Sequence, residues 1–220
     1  MHNTNNNVNT EIPVKQPGQL GHMAKYYDLI TAFMTFGREK RLRQLTVQLA
    51  QLKPGDKVLE VGCGTGNLTI AAKKQVGQSG EVIGIDIAPE MITVATRKAA
   101  RKKVDIKLVT ASIEKIPFDD NTFDYVLCSF MIHHMPEYVR LNGIKEVYRV
   151  LKPGGHLFVL DFTLPEKTKQ RNLVRNHSGY MMQHDVRELK PVLENNSFTE
   201  IEMEKTDFLG TWFIRGKAEK

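Results

Sequence analysis

A chain of 220 residues accommodates one domain around one sizeable core, and its 41% hydrophobic and 25% charged residues are ordinary for a water-soluble globular protein. No apolar run approaches the ~20 residues of a membrane span, and the start MHNTNNNVNT has no signal-peptide pattern, which points to the cytoplasm. The net charge of +6 is compatible with nucleic acid or an anionic membrane surface, and equally with solubility alone; the two cysteines read as free thiols, and no Cys/His spacing makes a zinc site.

The first 19 residues are rich in Asn and lack apolar periodicity, the pattern of a disordered tail. From His22 to Gln51 apolar residues recur at helical spacing, among them Leu29, Ile30, Phe33, Met34, Leu42, Leu45 and Leu49, and predict two helices broken near Gly37. Lys53-Pro54-Gly55-Asp56 then turns the chain into a short buried strand through Val58, Leu59 and Val61. Gly62, Gly64 and Gly66 follow at alternate positions, ahead of a helix over Leu68–Gln75. Such a strand-to-helix turn uses glycine where φ is positive and where a ligand approaches the backbone, and the helix start offers free N–H groups and a positive dipole end. The stretch is therefore a cradle for part of a nucleotide-like ligand. After a turn at Gly77–Gly80, Glu81–Ile85 is a second strand ending in Asp86. Asp86 lies ~20 residues beyond the glycines, where a carboxylate accepts both ribose hydroxyls. It also stands where it can cap the helix 89–103 opened by Pro89-Glu90-Met91.

The glycine spacing departs from the dinucleotide fingerprint, since the third glycine comes one residue early and Asn67 holds its place. EVGCGTG instead resembles the cofactor loop of class I S-adenosylmethionine-dependent methyltransferases. YDLITAFMTFGREKRLR resembles the segment of ubiquinone/menaquinone-type C-methyltransferases that closes over the cofactor's methionine end: Tyr27, Asp28, Phe36 and Gly37 match, and Lys40 stands where the family's arginine aligns. This resemblance implies an α/β, Rossmann-like class I fold: a mostly parallel seven-stranded sheet with a C-terminal antiparallel hairpin and helices on both faces. It implies S-adenosyl-L-methionine as cofactor and one domain over 20–220, with 20–52 as a helical lid. The implied cofactor contacts in this first half are Tyr27, Lys40, Glu60, Gly62, Cys63, Gly64, Gly66, Asp86, Ile87 and Met91.

Further along, Ile106–Thr110 reads as a third strand and Tyr125–Ser129 as a fourth. The pattern between them resembles the family's adenine-edge loop, which assigns Ser112 and the Ile113 backbone to the adenine and Ser129 to the cofactor. FMIHHMP follows the fourth strand; His134 or its neighbour His133 either faces the substrate or packs against the helix 137–151. Lys152-Pro153-Gly154-Gly155 is expected to turn into a fifth strand, His156–Asp161, and RVLKPGGHLFVLDFT resembles the family's second signature. The polar stretch 164–186, with Tyr180 as a second candidate proton acceptor, reads as a substrate cover. Asp185–Asn195 is expected to be helical, and Glu200–Asp207 with Thr211–Lys217 to form a hairpin.

These features imply an S-adenosylmethionine-dependent methyltransferase acting on a small-molecule, quinone-like or lipid acceptor by in-line displacement. No metal is expected, peripheral membrane contact is compatible with the charge, and oligomeric state stays open. A nicotinamide oxidoreductase conflicts with the early glycine and the final hairpin. A nucleic-acid methyltransferase lacks its Asn/Asp-Pro-Pro-aromatic motif and a separate binding module. A non-catalytic cofactor-binding regulator remains a third alternative.

Overall fold

The computed structural model of the protein describes residues 24–35, 37–164, 184–208 and 210–220. The expected tail 1–19, Phe36, and most of the expected cover, including Tyr180, lie outside the described residues.

Two helices come first, α1 (Ala24–Met34) and α2 (Glu39–Ala50), broken at Gly37 as the sequence suggests. There follow β1 (Lys57–Val61), α3 (Asn67–Val76), β2 (Glu81–Asp86), α4 (Pro89–Lys102) and β3 (Lys107–Thr110). The second half runs β4 (Phe123–Ser129), a 3-10 turn (Ile132–His134), α5 (Glu137–Val150), β5 (Leu151–Phe162), α6 (Leu189–Glu194), β6 (Phe198–Lys205) and β7 (Thr211–Ala218). The strands form one seven-stranded sheet in the order β3-β2-β1-β4-β5-β7-β6. Neighbours from β3 to β5 pair in parallel, while β7 runs antiparallel between β5 and β6.

Alternation along the strands builds two cores. Leu59, Val61, Ile83, Ile85, Val126 and Val159 face α5 and α6, meeting Ile144, Val147 and Leu193. Val58, Val82, Leu127 and Phe158 face the other way, meeting Leu42 and Val47 of α2 and Leu68 and Ala72 of α3. Each fully buried large apolar side chain among them contributes roughly 1.5–3 kcal/mol.

Two elements differ from the sequence expectation. Lys152–Gly155 does not precede β5 but loops out of it: Leu151 pairs with Phe123, and the ladder resumes at His156 opposite Tyr125. Gly154 takes φ +77°, and a Cβ on Gly155 would stand 3.1 Å from the Asp124 carbonyl, so this close return along β4 needs both glycines. Helix α6 is shorter than expected, because Asp185 accepts a hydrogen bond from the Arg187 amide (2.9 Å) and starts a 3-10 turn over 186–188 instead.

The strand order reverses between β1 and β4, with β2 outside one and β5 outside the other. A crevice opens at that point above the carboxyl ends of the strands, the usual ligand position of an open parallel sheet.

Candidate active site

The crevice is bounded below by the turn after β1. Gly62, Gly64 and Gly66 all have positive φ (71°, 51° and 77°), so the turn coils tightly before α3. A Cβ on Gly62 would lie 2.2 Å from Met131 Sδ, so any side chain there collides with the residue that follows β4. Gly64 opens toward the cavity, its nearest neighbour being the Tyr27 ring at 3.7 Å from a built Cβ. Gly66 is turned away and lets α4 approach, with Ala95 at 3.0 Å from such a Cβ.

Of the residues singled out in the sequence, Tyr27, Gly62, Gly64, Asp86, Ile87 and Met91 line one side of the cavity. Ser112, Ile113, Ser129 and His134 line the other. Asp86 holds the lining together: its carboxylate accepts from the Gly64 amide and from the Ala88 amide, each at 2.9 Å. Burial pushes its carboxyl above the usual range, and the two amide bonds oppose that rise. Burial also raises the Tyr27 phenol, with the Arg43 charge pulling it back.

Lys40, Glu60, Cys63 and Gly66 do not line the cavity. The Lys40 side chain is exposed. Glu60 shares the strand face of Val58 and points at α3, where Thr69 donates to it at 2.5 Å; complete burial lifts its carboxyl to about 8. Cys63 packs against Gly84, and burial pushes its thiol far up, so it is no nucleophile at neutral pH.

The cation beside the crevice is Arg43, one turn further along α2; it does not line the cavity itself but bonds Ser129, which does. Its Nη1 donates to Ser129 Oγ at 3.0 Å, Nη2 lies 3.6 Å from Glu39, and the guanidinium sits 5.8 Å from the Phe130 ring centroid. Its Nε is buried without a hydrogen-bond partner. The sequence carried a signal for it: Arg43 falls in line with Thr46, Val47 and Ala50 on the buried stripe of α2.

A polar cluster ties α1 and α2 to the glycine turn. Asp28 accepts from Thr65 (2.6 Å) and Asn67 (3.2 Å) and pairs with Lys98 of α4 at 2.7 Å. Asn67 also donates to Glu39 at 2.7 Å. Burial opposes ionisation of Asp28, but the bonds from Lys98, Thr65 and Asn67 outweigh it and hold the carboxyl below its ordinary value.

At the far end of the cavity stand His134, Pro136, Tyr138 and Val139. The ring of His133 stacks beside that of His134, 3.8 Å between centroids, and turns inward. Its Nδ1 lies 2.5 Å from Asp161 Oδ1, and its backbone amide donates to Oδ2 at 3.2 Å. The two histidines therefore divide the options that the sequence left open: His133 is buried on a carboxylate, and His134 faces the cavity. The Asp161 pairing joins the ends of two strands and was invisible to local spacing. Among the described residues no group of acidic, His and Cys side chains is arranged to hold a metal ion.

Comparison with known proteins follows the same lines. The sequence pattern of the ubiE/COQ5 methyltransferase family matches residues 15–195. Demethylmenaquinone methyltransferases of Bacillus cereus and Bacillus anthracis are 35% identical over 157 residues, which is 71% of this chain and 63% of theirs. The chain thus spans a little under two thirds of the length of these curated relatives. A solved S-adenosylmethionine-dependent methyltransferase from Aquifex aeolicus is 25% identical, with a TM-score of 0.67 over 90% of this chain and 98% of its own. The [4+2]-cyclase SpnF superposes with a TM-score of 0.71 over 90% of this chain and 96% of its own; at 18% identity that likeness speaks for the fold alone.

Proposed function

The chain belongs to the ubiE/COQ5 methyltransferase family, and we propose that it transfers a methyl group from S-adenosylmethionine to a small-molecule acceptor of quinone-like or lipid character. One observation carries this reading: the Gly62–Gly64 turn, Asp86 and the Ser112–Ile113 edge converge on a single cavity that His134 and Tyr138 also line.

The residues fit the cofactor. Gly64 lines the cavity with only the Tyr27 ring in contact range of a built Cβ, and Arg43, bonded to the lining Ser129, keeps a buried Nε donor without a partner. In this reading Asp86 receives the ribose hydroxyls on lone pairs left by its two amide bonds, while Ile87 and Met91 pack against the adenosine. Ser112 and the Ile113 amide meet the adenine edge, and Arg43 offsets the methionine carboxylate, with Tyr27 covering that end. When bound, the cofactor supplies a methyl group already activated on a sulfonium.

The protein's part is then alignment and exclusion of water. Met131, Tyr27 and Tyr138 enclose the path, and the acceptor is held in line with the transferred carbon. His134 stands at the acceptor end and takes a proton where the acceptor carries one to lose. His133, held on Asp161, fixes the turn that presents it. The names of the demethylmenaquinone methyltransferase relatives support a quinone-like acceptor.

Calorimetry with S-adenosylhomocysteine tests the cofactor half, with one site of about micromolar affinity expected. Mass spectrometry of a reduced demethylnaphthoquinone incubated with S-adenosylmethionine tests the acceptor half, with a gain of one methyl expected. Heat with NADH and none with S-adenosylhomocysteine would overturn the reading. Cofactor binding without transfer to any acceptor would reduce it to a regulator.

A further inference from the structure

Among the described residues, the large apolar side chains that stay exposed are confined to two helices. Tyr26, Leu29 and Phe33 of α1 are 65%, 71% and 84% exposed, and Tyr138 and Leu141 of α5 are 57% and 36% exposed. Both helices border the cavity, through Tyr27 on α1 and through Tyr138 and Val139 on α5, with Pro136 just ahead of it. The α1 residues follow an i, i+3, i+7 spacing and form one stripe. The opposite side of the helix, Ala24 and Tyr27, packs on Ala88 and Met91, and Asp28 pins it to Lys98. So α1 is held rigidly against the body with an apolar stripe turned outward, although an exposed patch of this kind marks an interaction site.

The surroundings of the stripe say what covers it. Arg38, Lys40 and Arg41 follow immediately after α1 and are all exposed, while the one acid among them, Glu39, is turned inward onto Asn67. Helix α4, which Asp28 joins to α1, adds exposed Arg97, Arg101 and Lys102 against one exposed acid at its start, Glu90. Glu137 is the exposed acid beside Tyr138, so the positive charge lies on the α1 side. An apolar stripe bordered by cations suits an anionic lipid surface, where the stripe enters the headgroup boundary and the cations meet the phosphates. A second copy of the chain fits less well, since a two-fold interface brings the same cations face to face. At 11 residues α1 lies on a bilayer and cannot cross it.

We propose that the exposed stripe of α1, with Tyr138 and Leu141 of α5, docks the protein on an anionic lipid surface and turns the cavity mouth toward the bilayer. An apolar acceptor then enters from the lipid side without crossing water. That last step rests on the proposed methyl transfer; the docking does not.

Flotation with vesicles tests it directly. The protein should float with phosphatidylcholine vesicles containing about one third phosphatidylglycerol, bind pure phosphatidylcholine several-fold less, and lose binding as salt rises. The double variant Leu29→Asp/Phe33→Asp should lose roughly tenfold or more in vesicle affinity. Arg38→Glu/Arg41→Glu should abolish the preference for anionic lipid. Both should keep wild-type calorimetry with S-adenosylhomocysteine, and Phe33→Ser alone, altering one exposed side chain, is the fallback if the double variant does not fold. No binding of the wild-type protein to anionic vesicles overturns the proposal. So does unchanged binding by the stripe variants, or a dimer seen by light scattering that the same substitutions dissolve. A protein that floats but transfers no methyl group retains the docking and loses only the acceptor route.

Discussion

Asp86 does two things with one carboxylate, holding the Gly64 and Ala88 amides while facing the cavity. Replacing it with Ala removes the acceptor for both amides as well as the ribose contact proposed for it. Asp86→Ala should therefore weaken S-adenosylhomocysteine binding by roughly 2–4 kcal/mol in calorimetry and lower folding stability by about 1–2 kcal/mol in urea titration. A stability loss with unchanged affinity would leave Asp86 as a cap only. Glu60 yields a second expectation, in pH. Unfolded, its carboxyl ionises near the ordinary 4.5; folded, it keeps its proton up to about 8. Between these values the native state binds the extra proton, so the stability it contributes is fully present below about 4.5. That contribution is lost as pH rises through the window, with a slope approaching about 1.4 kcal/mol per pH unit. Glu60→Gln keeps a hydrogen bond to Thr69 and cannot ionise. Urea titrations across the window should diverge, the variant gaining on the wild type as pH rises; parallel curves would refute the buried-proton account.

At the scale of elements, α1 and α2 hang on one polar cluster, Asp28–Lys98–Asn67–Glu39. Asp28→Ala leaves the buried Lys98 ammonium without its anion, a loss on the order of 3–5 kcal/mol for a wholly buried pair and less here because Asp28 is half exposed. The stated expectation is local: amides of 24–35 exchange faster in the variant, and S-adenosylhomocysteine restores part of their protection. Equal exchange in variant and wild type would mean that apolar packing alone holds α1. The sequence announced these helices through their periodicity, and only the phase of the buried stripe says which cation of α2 turns inward. Arg38, Lys40, Arg41 and Arg43 crowd one stretch, and the choice of Arg43 follows from the rotation imposed by burying Leu42, Thr46, Val47 and Ala50. The position of Glu60 follows from phase: it shares the parity of Val58 and so lies on the α3 side of the sheet. The Lys152–Gly155 excursion was read as a plain turn, because glycine and proline mark a reversal without saying that the strand has already begun before it.

For the molecule as a whole, the strands and the glycine turn were legible in buried apolar runs, glycines and one acidic strand end, while the sheet type came from the family resemblance and the strand order from the structure alone. The pairing of His133 with Asp161 and the cluster around Lys98 join distant segments, and no spacing rule reaches them. A ligand that binds only the native state stabilises it by mass action. S-adenosylhomocysteine at about one hundred times its dissociation constant should add about 2.7 kcal/mol to unfolding, read as a rise in melting temperature, with no rise from NADH. Absence of that rise would detach the cavity from the cofactor. Activity itself does not follow from the fold, as the likeness to a cyclase makes plain.

The place of β7 has a consequence for how the sheet is assembled. It comes last in chain order among the described strands, after both neighbours, yet it lies inside the sheet, as the link between β5 and β6. During synthesis β5 presents an open edge over Leu157–Phe162, and β6 has no partner at all, until Thr211–Ala218 has emerged. The nascent chain therefore carries a sticky border from the completion of β5 until β7 is made, and closure of the sheet is a final insertion rather than a growing row.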